Sequence, residues 1–433
     1  MHDHQRVTVG RGPTIVLAAA LIDGTGGPPL ADPVVVIRDG RIAEITTRDA
    51  WSKAEYPDAQ VLRDDEATIV PGLIDGHVHL VMSAADTNDA LLRDLNESTP
   101  AELAMLAAEN ARLCLLGGVT TVRDCGGVGT LVQQLRDMID AGILIGPRVL
   151  SSGMPITTTA GHCHFLGLRA DSIEEVRKAV RQLVQDRVDV VKVMATGGRI
   201  TSGSNIHALQ YDRATLDVIA AEAHRLSRRV AAHVLCTDAI AACVDAGIDT
   251  LEHCRWQDPD GSFRYEEDVL ERMAQRGTHV SLTMAGNIRD LLSARRRDLD
   301  AFSLGLEERE RFRTESDMVR RGLNTFVTSD AGVTRCAFDE FPQSVACATH
   351  FLGLTPVDAI AHATGRAANA LGIEASVGTL EPGKVADLVL VDGDVANDID
   401  LLARVTTVMR SGRVVAQHGA VRSPRHHGKG PLP

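Results

Sequence analysis

Two hydrophobic rhythms alternate along the middle of the chain. Short apolar runs rich in Val, Ile and Leu fall at residues 119–123, 149–151, 188–194, 230–234, 248–252, 278–282 and 324–328. Runs of this length and composition predict buried strands. Between several of them the spacing changes to the three-to-four repeat of an amphipathic helix. Ile173, Val176, Val180, Leu183 and Val184 form one such stripe, opened by Ser172 and Glu175 as a capping box. Further helices are expected over 213–228, over 238–246 ending at Gly247, and over 266–275. With Leu73-Ile74 as the first strand the count reaches eight β/α units. Repeated units of this kind imply a parallel sheet, and eight over about 300 residues suit a closed (β/α)8 TIM barrel. A doubly wound open sheet is the alternative. Gly126-Gly127-Val128-Gly129 follows a strand, but its spacing does not fit a dinucleotide-binding turn.

Both chain ends keep the strand rhythm without the helices. Residues 14–21 and 32–45 read as strands, with Asp39-Gly40 as a hairpin turn, and 67–70 as another. Near the other end, 386–391, 405–409 and 413–415 match them, with Ser411-Gly412 between the last two. The expected division is a composite β-sandwich from 11–70 and 371–420, a barrel over 71–370, and a flexible tail over 421–433. The charged stretch 287–321 is longer than a simple connection and suits a lid helix.

Composition narrows the function. Apolar residues make up 44% and charged residues 24% of 433, as in an ordinary enzyme, while aromatics are only 3%, so aliphatic side chains must fill the core. A formal charge of -13 argues against nucleic-acid binding, which needs clustered Lys and Arg. Eight scattered cysteines form no disulfide framework and read as reduced, buried thiols. No signal-like or membrane-length apolar run is present, so a cytoplasmic protein is expected.

The chemistry gathers at the strand ends. His77 and His79 leave the first strand two residues apart, so both imidazoles can point to one side. Lys192 closes the fourth strand, His233 the fifth, Glu252-His253 the sixth and Ser329-Asp330 the eighth. In a barrel these ends form the catalytic rim. Lys192 has apolar neighbours on both sides, where an ammonium is costly. The neutral amine can react with carbon dioxide to give a carbamate that bridges two cations. Four imidazoles, a carbamate and Asp330 make a nitrogen/oxygen ligand set for zinc.

These residues carry a resemblance. Pro-Gly-Leu-Ile-Asp-Gly-His77-Val-His79, Val-Lys192-Val-Met-Ala-Thr-Gly-Gly, Ala-His233-Val, Leu-Glu-His253 and Thr-Ser-Asp330-Ala-Gly resemble the motifs of the amidohydrolase superfamily. The likeness is greatest to its branch of Xaa-Pro dipeptidases, arginine/lysine carboxypeptidases, imidazolonepropionase-like proteins and phenylurea or thiocarbamate hydrolases. It implies two divalent metal ions, taken as zinc. His77, His79 and Asp330 would hold one, His233 and His253 the other, and N6-carboxylated Lys192 would bridge them. It further implies metal-assisted hydrolysis with Asp330 as base and then acid. Gly161-His162-Cys163-His164 resembles the branch's Gly-His segment, from which His162 is expected to contact the scissile carbonyl or its oxyanion; the alternative is a loop-stabilising role. Tyr211 resembles a substrate-contacting position and can equally be a loop anchor. Arg199 is a candidate partner for a substrate carboxylate.

The expected substrate is a small dipeptide or N-acyl amino acid cleaved at its amide, with urea or carbamate hydrolysis as the alternative and a non-catalytic binding or assembly module as the reading of another class. No nucleic-acid or membrane partner is expected, and a homo-oligomer is.

Overall fold

The computed structural model describes residues 12–284 and 305–422. Residues 287–304 of the expected lid stretch, and the tail from Ser423, lie outside the described residues.

Eight parallel strands carry the middle of the chain: β1 (Leu73–Val78), β2 (Val119–Asp124), β3 (Arg148–Ser151), β4 (Val190–Met194), β5 (Arg229–Val234), β6 (Thr250–His253), β7 (His279–Thr283) and β8 (Asn324–Thr328). The first three form one parallel sheet. The other five run in order within a second, which also holds the short strands Ile156–Thr157 and Leu168–Arg169. The sheets meet at both edges. Val78 bridges Ala331 in parallel, and the Asp189 amide donates to the Ser151 carbonyl at 2.8 Å.

Helices separate the strands as the periodicity requires. Ile173–Gln185 starts at the expected capping box, with both reciprocal hydrogen bonds formed. It buries Val176, Ala179, Val180 and Leu183, whereas Ile173, in the first turn, is exposed. Thr237–Ala246 ends on Gly247 at φ 77°, the left-handed conformation that glycine adopts at helix ends without a Cβ penalty. Two helices between β1 and β2, Asn88–Glu97 and Pro100–Leu116, were not read from the pattern. Within 287–321 the described residues hold the helix Leu306–Arg320.

Glycine sets the distance between β1 and its neighbours. A Cβ on Gly72 would fall 2.0 Å from the Thr120 hydroxyl oxygen, and one on Gly76 would fall 2.7 Å from the Phe326 ring. Neither position accepts a side chain, so β1 lies close against β2 and β8.

The chain ends form two further sheets. One is four-stranded, with Arg41–Thr47, Pro33–Arg38, Thr14–Leu17 and Gln60–Arg63 in that order. The other joins the termini, because Ala67–Pro71 pairs antiparallel with Leu388–Asp392. Val16, Val35 and Ile69 share one apolar cluster with Leu388 and Leu390. The hairpin turns at Asp39-Gly40 and Ser411-Gly412 both have positive φ, as two-residue hairpin turns require.

Candidate active site

The strand ends converge as the sequence suggested. His77, His79, Lys192, His233, His253 and Asp330 are all buried and line one cavity of about 380 Å³. The imidazoles form a chain of close neighbours. Ring centroids lie 5.4 Å apart for His77–His79, 5.1 Å for His77–His253, 4.7 Å for His233–His253 and 4.5 Å for His162–His233.

Backbone bonds at the β1–β8 junction hold one ligand group. The Asp330 amide donates to the His77 carbonyl, and the His79 amide to the Ala331 carbonyl, each at 2.8 Å. Asp330 Oδ1 then stands 3.4 Å from His77 Nε2 and 3.3 Å from His79 Nε2, yet it makes no hydrogen bond. Two donors of one tetrahedral ion, each about 2.0–2.1 Å from it, lie roughly 3.3 Å apart. The spacing therefore fits donors that share a cation. Lys192 Nζ is also sealed from solvent without a partner. A lone buried ammonium is costly, and a bridging carbamate would remove that charge. On both counts the residues fit a bound divalent cation, and His77, His79 and Asp330 bring their donor atoms close enough to share one.

Electrostatics agree. Burial first, then neighbouring imidazoles, holds His233 and His253 well below the usual histidine range, for His253 against the pull of Asp330, leaving the neutral imidazole that ligates metals. Burial pushes the Asp330 carboxyl up, but His77, His79 and His253 outweigh it and hold it far below the usual range.

Outside this group sits a network not foreseen from the sequence. Glu252 Oε2 lies 3.0 Å from His77 Nδ1, without hydrogen-bond alignment, and its Oε1 accepts from Arg123 Nη2 at 2.5 Å. Arg123 also donates to the Gly76 carbonyl at 2.6 Å and the Thr250 hydroxyl at 2.9 Å. Asp75 accepts from the Ser329 amide at 3.1 Å and from the Ser329 hydroxyl, tying β1 to the end of β8. Burial raises the Asp75 carboxyl to about 7 while those donors pull the other way. Charged residues inside strands of a barrel are the available signal for such partners.

The expected substrate contacts divide. His162 lines the cavity, its Nδ1 3.0 Å from the Thr201 hydroxyl. A Cβ on Gly198 would lie 2.3 Å from its Cε1 and Nε2, so that glycine lets the loop pass over the ring. His164 Nδ1 instead lies 3.0 Å from the Gly161 carbonyl, outside the lining. Arg199 lies at the cavity but is more than half exposed and ion-paired with Glu307. Tyr211 is buried, and its hydroxyl donates to the Ala170 carbonyl at 2.8 Å. It is absent from the cavity lining, which accords with the loop-anchor reading among the two expected for it. Arg255, two residues beyond His253, lines the cavity and was not singled out from the sequence.

Residues 68–415 match the amidohydrolase family, and the chain belongs to it. It is 28% identical to ochratoxinase of Aspergillus niger over 93% of this chain and 86% of that one. Imidazolonepropionase of Symbiobacterium thermophilum is 25% identical, over 94% of this chain and 98% of that one. Among solved structures, A. niger ochratoxinase superposes with a TM-score of 0.80 at 25% identity, covering 96% of this chain and 99% of that one. A Xaa-Pro dipeptidase with methionine bound in its active site gives 0.77 at 26%, covering 93% and 99%. Family and neighbours imply the TIM-barrel amidohydrolase fold and a hydrolase acting on carbon–nitrogen bonds.

Proposed function

We propose that the protein is a binuclear metal-dependent hydrolase that cleaves the amide of a small dipeptide or N-acyl amino acid. The supporting observation is the buried cluster in which Asp330 Oδ1 and Lys192 Nζ lack hydrogen-bond partners amid four imidazoles. Likeness to a Xaa-Pro dipeptidase and to ochratoxinase favours the amide. The eight parallel strands are read as one closed barrel over 71–370, with its site at the C-terminal strand ends. The terminal sheets are read as one composite sandwich domain. The protein is further taken as a cytoplasmic homo-oligomer, which a monomer mass by light scattering would contradict.

His77, His79 and Asp330 would hold one cation, His233 and His253 the other, with carboxylated Lys192 between them. Bound there, zinc ions would supply Lewis-acid activation of water and of the scissile carbonyl. Asp330, anionic and aimed at the same point as the imidazoles, takes the proton of the attacking water and hands it to the leaving nitrogen. His162 stands at the far end of the imidazole chain, against His233, and stabilises the developing oxyanion. Burial draws His162 down to about 3, so it acts as a neutral donor.

Met82, Met194, Ile200, Leu235 and Val333 give the cavity an apolar wall, which keeps urea or carbamate hydrolysis as the second reading. A panel of Xaa-Pro and Xaa-Arg dipeptides, N-acyl amino acids, phenylureas and carbamates, offered to zinc-loaded protein, separates them. The amide reading expects turnover of carboxylate-bearing amides; turnover confined to neutral ureas or carbamates would replace it.

A further inference from the structure

The cavity contains a cation that the hydrolytic chemistry does not use. Arg255 lines it, and its Nη1 is shut off from solvent with no hydrogen-bond partner. Its neighbours are all engaged. Arg199 pairs with Glu307, and the buried Arg311 pairs with Glu308 and Glu315 at 2.9 Å each. Among the described residues Arg255 makes no hydrogen bond or ion pair of its own.

The backbone holds this arginine in place. His253, Cys254 and Trp256 have φ values of 69°, 48° and 55°, three left-handed side-chain-bearing residues within four positions. Such conformations are uncommon and persist only where the surroundings enforce them. Trp256 supplies part of that enforcement, fully buried and edge-on to Tyr265 at 5.0 Å. The turned strand end brings Arg255 to the same cavity as His253.

We infer that Arg255 is the anchor for a substrate carboxylate, which makes the substrate class N-acyl amino acids and dipeptides bearing a free C-terminal carboxylate on the leaving amine. The inference rests on the amide-hydrolase reading above and names the group by which its substrate is recognised. A guanidinium offers two parallel donors that match a carboxylate. A charged donor held away from water without an acceptor is unfavourable, and the incoming carboxylate supplies the acceptor. A guanidinium is protonated throughout the neutral range, so Arg255 presents a cation to the cavity. The apolar wall of Met194, Leu235 and Val333 would receive the substrate's side chain.

The test compares zinc-loaded wild type, Arg255→Met and Arg255→Lys on N-benzoyl-L-leucine and N-benzoyl-L-leucinamide, following benzoate release. Losing a charge-assisted pair lowers kcat/KM by roughly 30- to 100-fold. Arg255→Met should show that loss on the acid, mainly through KM, and exceed its loss on the carboxamide at least tenfold. Arg255→Lys should recover part of it. Equal losses on both compounds would make Arg255 structural and overturn the inference. If wild type cleaves neither, the amide reading fails for this class, and calorimetric binding of the same pair still decides. Acid bound at least tenfold tighter than carboxamide by wild type but not by Arg255→Met supports the anchor, and indifference to the carboxylate removes it.

Discussion

Replacing Arg123 by Met tests whether the network behind His77 is a structural unit. The guanidinium and the Glu252 carboxylate are almost fully buried, 3% and 0% exposed, and meet at 2.5 Å. Arg123 also stands 5.8 Å from the Phe326 ring centroid and donates to Gly76 and Thr250. Removing one partner of a buried ion pair leaves the other charge uncompensated, at a cost of about 3–5 kcal/mol. Burial drives the Glu252 carboxyl up, and Arg123 then His77 hold it well below its usual range, so the substitution strips its largest compensation. Glu252→Gln should cost less, because the amide oxygen can still accept from Arg123. The double variant should be less destabilised than the sum of the singles, by about 0.5–3 kcal/mol for residues in contact. Urea unfolding of all four metal-loaded proteins at matched slopes measures this. A shift below about 1 kcal/mol for Arg123→Met, or strict additivity, would refute the argument that the pair is mutually compensating.

Lys192→Met removes the proposed bridging group, so metal content should fall to one ion per chain or fewer and activity by at least ~100-fold; two retained ions by elemental analysis would argue against the bridge. Gly198→Ala places a Cβ 2.3 Å from the His162 ring. That displacement should lower kcat roughly 100-fold with little change in melting temperature, since misplaced groups are costly in rate; unchanged kcat would show that His162 has no catalytic contact. His362, buried with Nδ1 2.7 Å from the Asp358 carbonyl, is lowered to about 4, chiefly by burial. The unfolded chain then binds the extra proton first, so this contribution is complete above about pH 6.5 and is lost as pH falls towards 4, by about 3 kcal/mol. His362→Gln should flatten that limb of a urea-midpoint profile, and an unaltered limb would assign the acid sensitivity elsewhere.

The features readable from the sequence are those fixed locally. β8 runs over Asn324–Thr328 as expected, and the candidate ligand residues stood out because each lies within or just after an apolar run too short for anything but a strand. The helix Pro100–Leu116 escaped because its buried face is built partly of Ala107, Ala111 and Cys114, which give a weak apolar signal. Partners far apart in the chain were out of reach: Arg123 and Glu252 are separated by 129 residues, and Asp75 and Ser329 by 254. Arg255 and Tyr211 show the limit for substrate contacts. Whether an arginine or a phenol faces a cavity or a neighbouring carbonyl depends on strand-end backbone turns and on packing, which residue type alone does not encode.

Zinc titration of metal-stripped protein, followed by elemental analysis and by hydrolysis of the best substrate from the panel, tests the central claim most directly. The account predicts two ions bound per chain, with activity appearing as the pair is completed. Full activity in chelated protein, or at a single equivalent with no gain from a second, would contradict it.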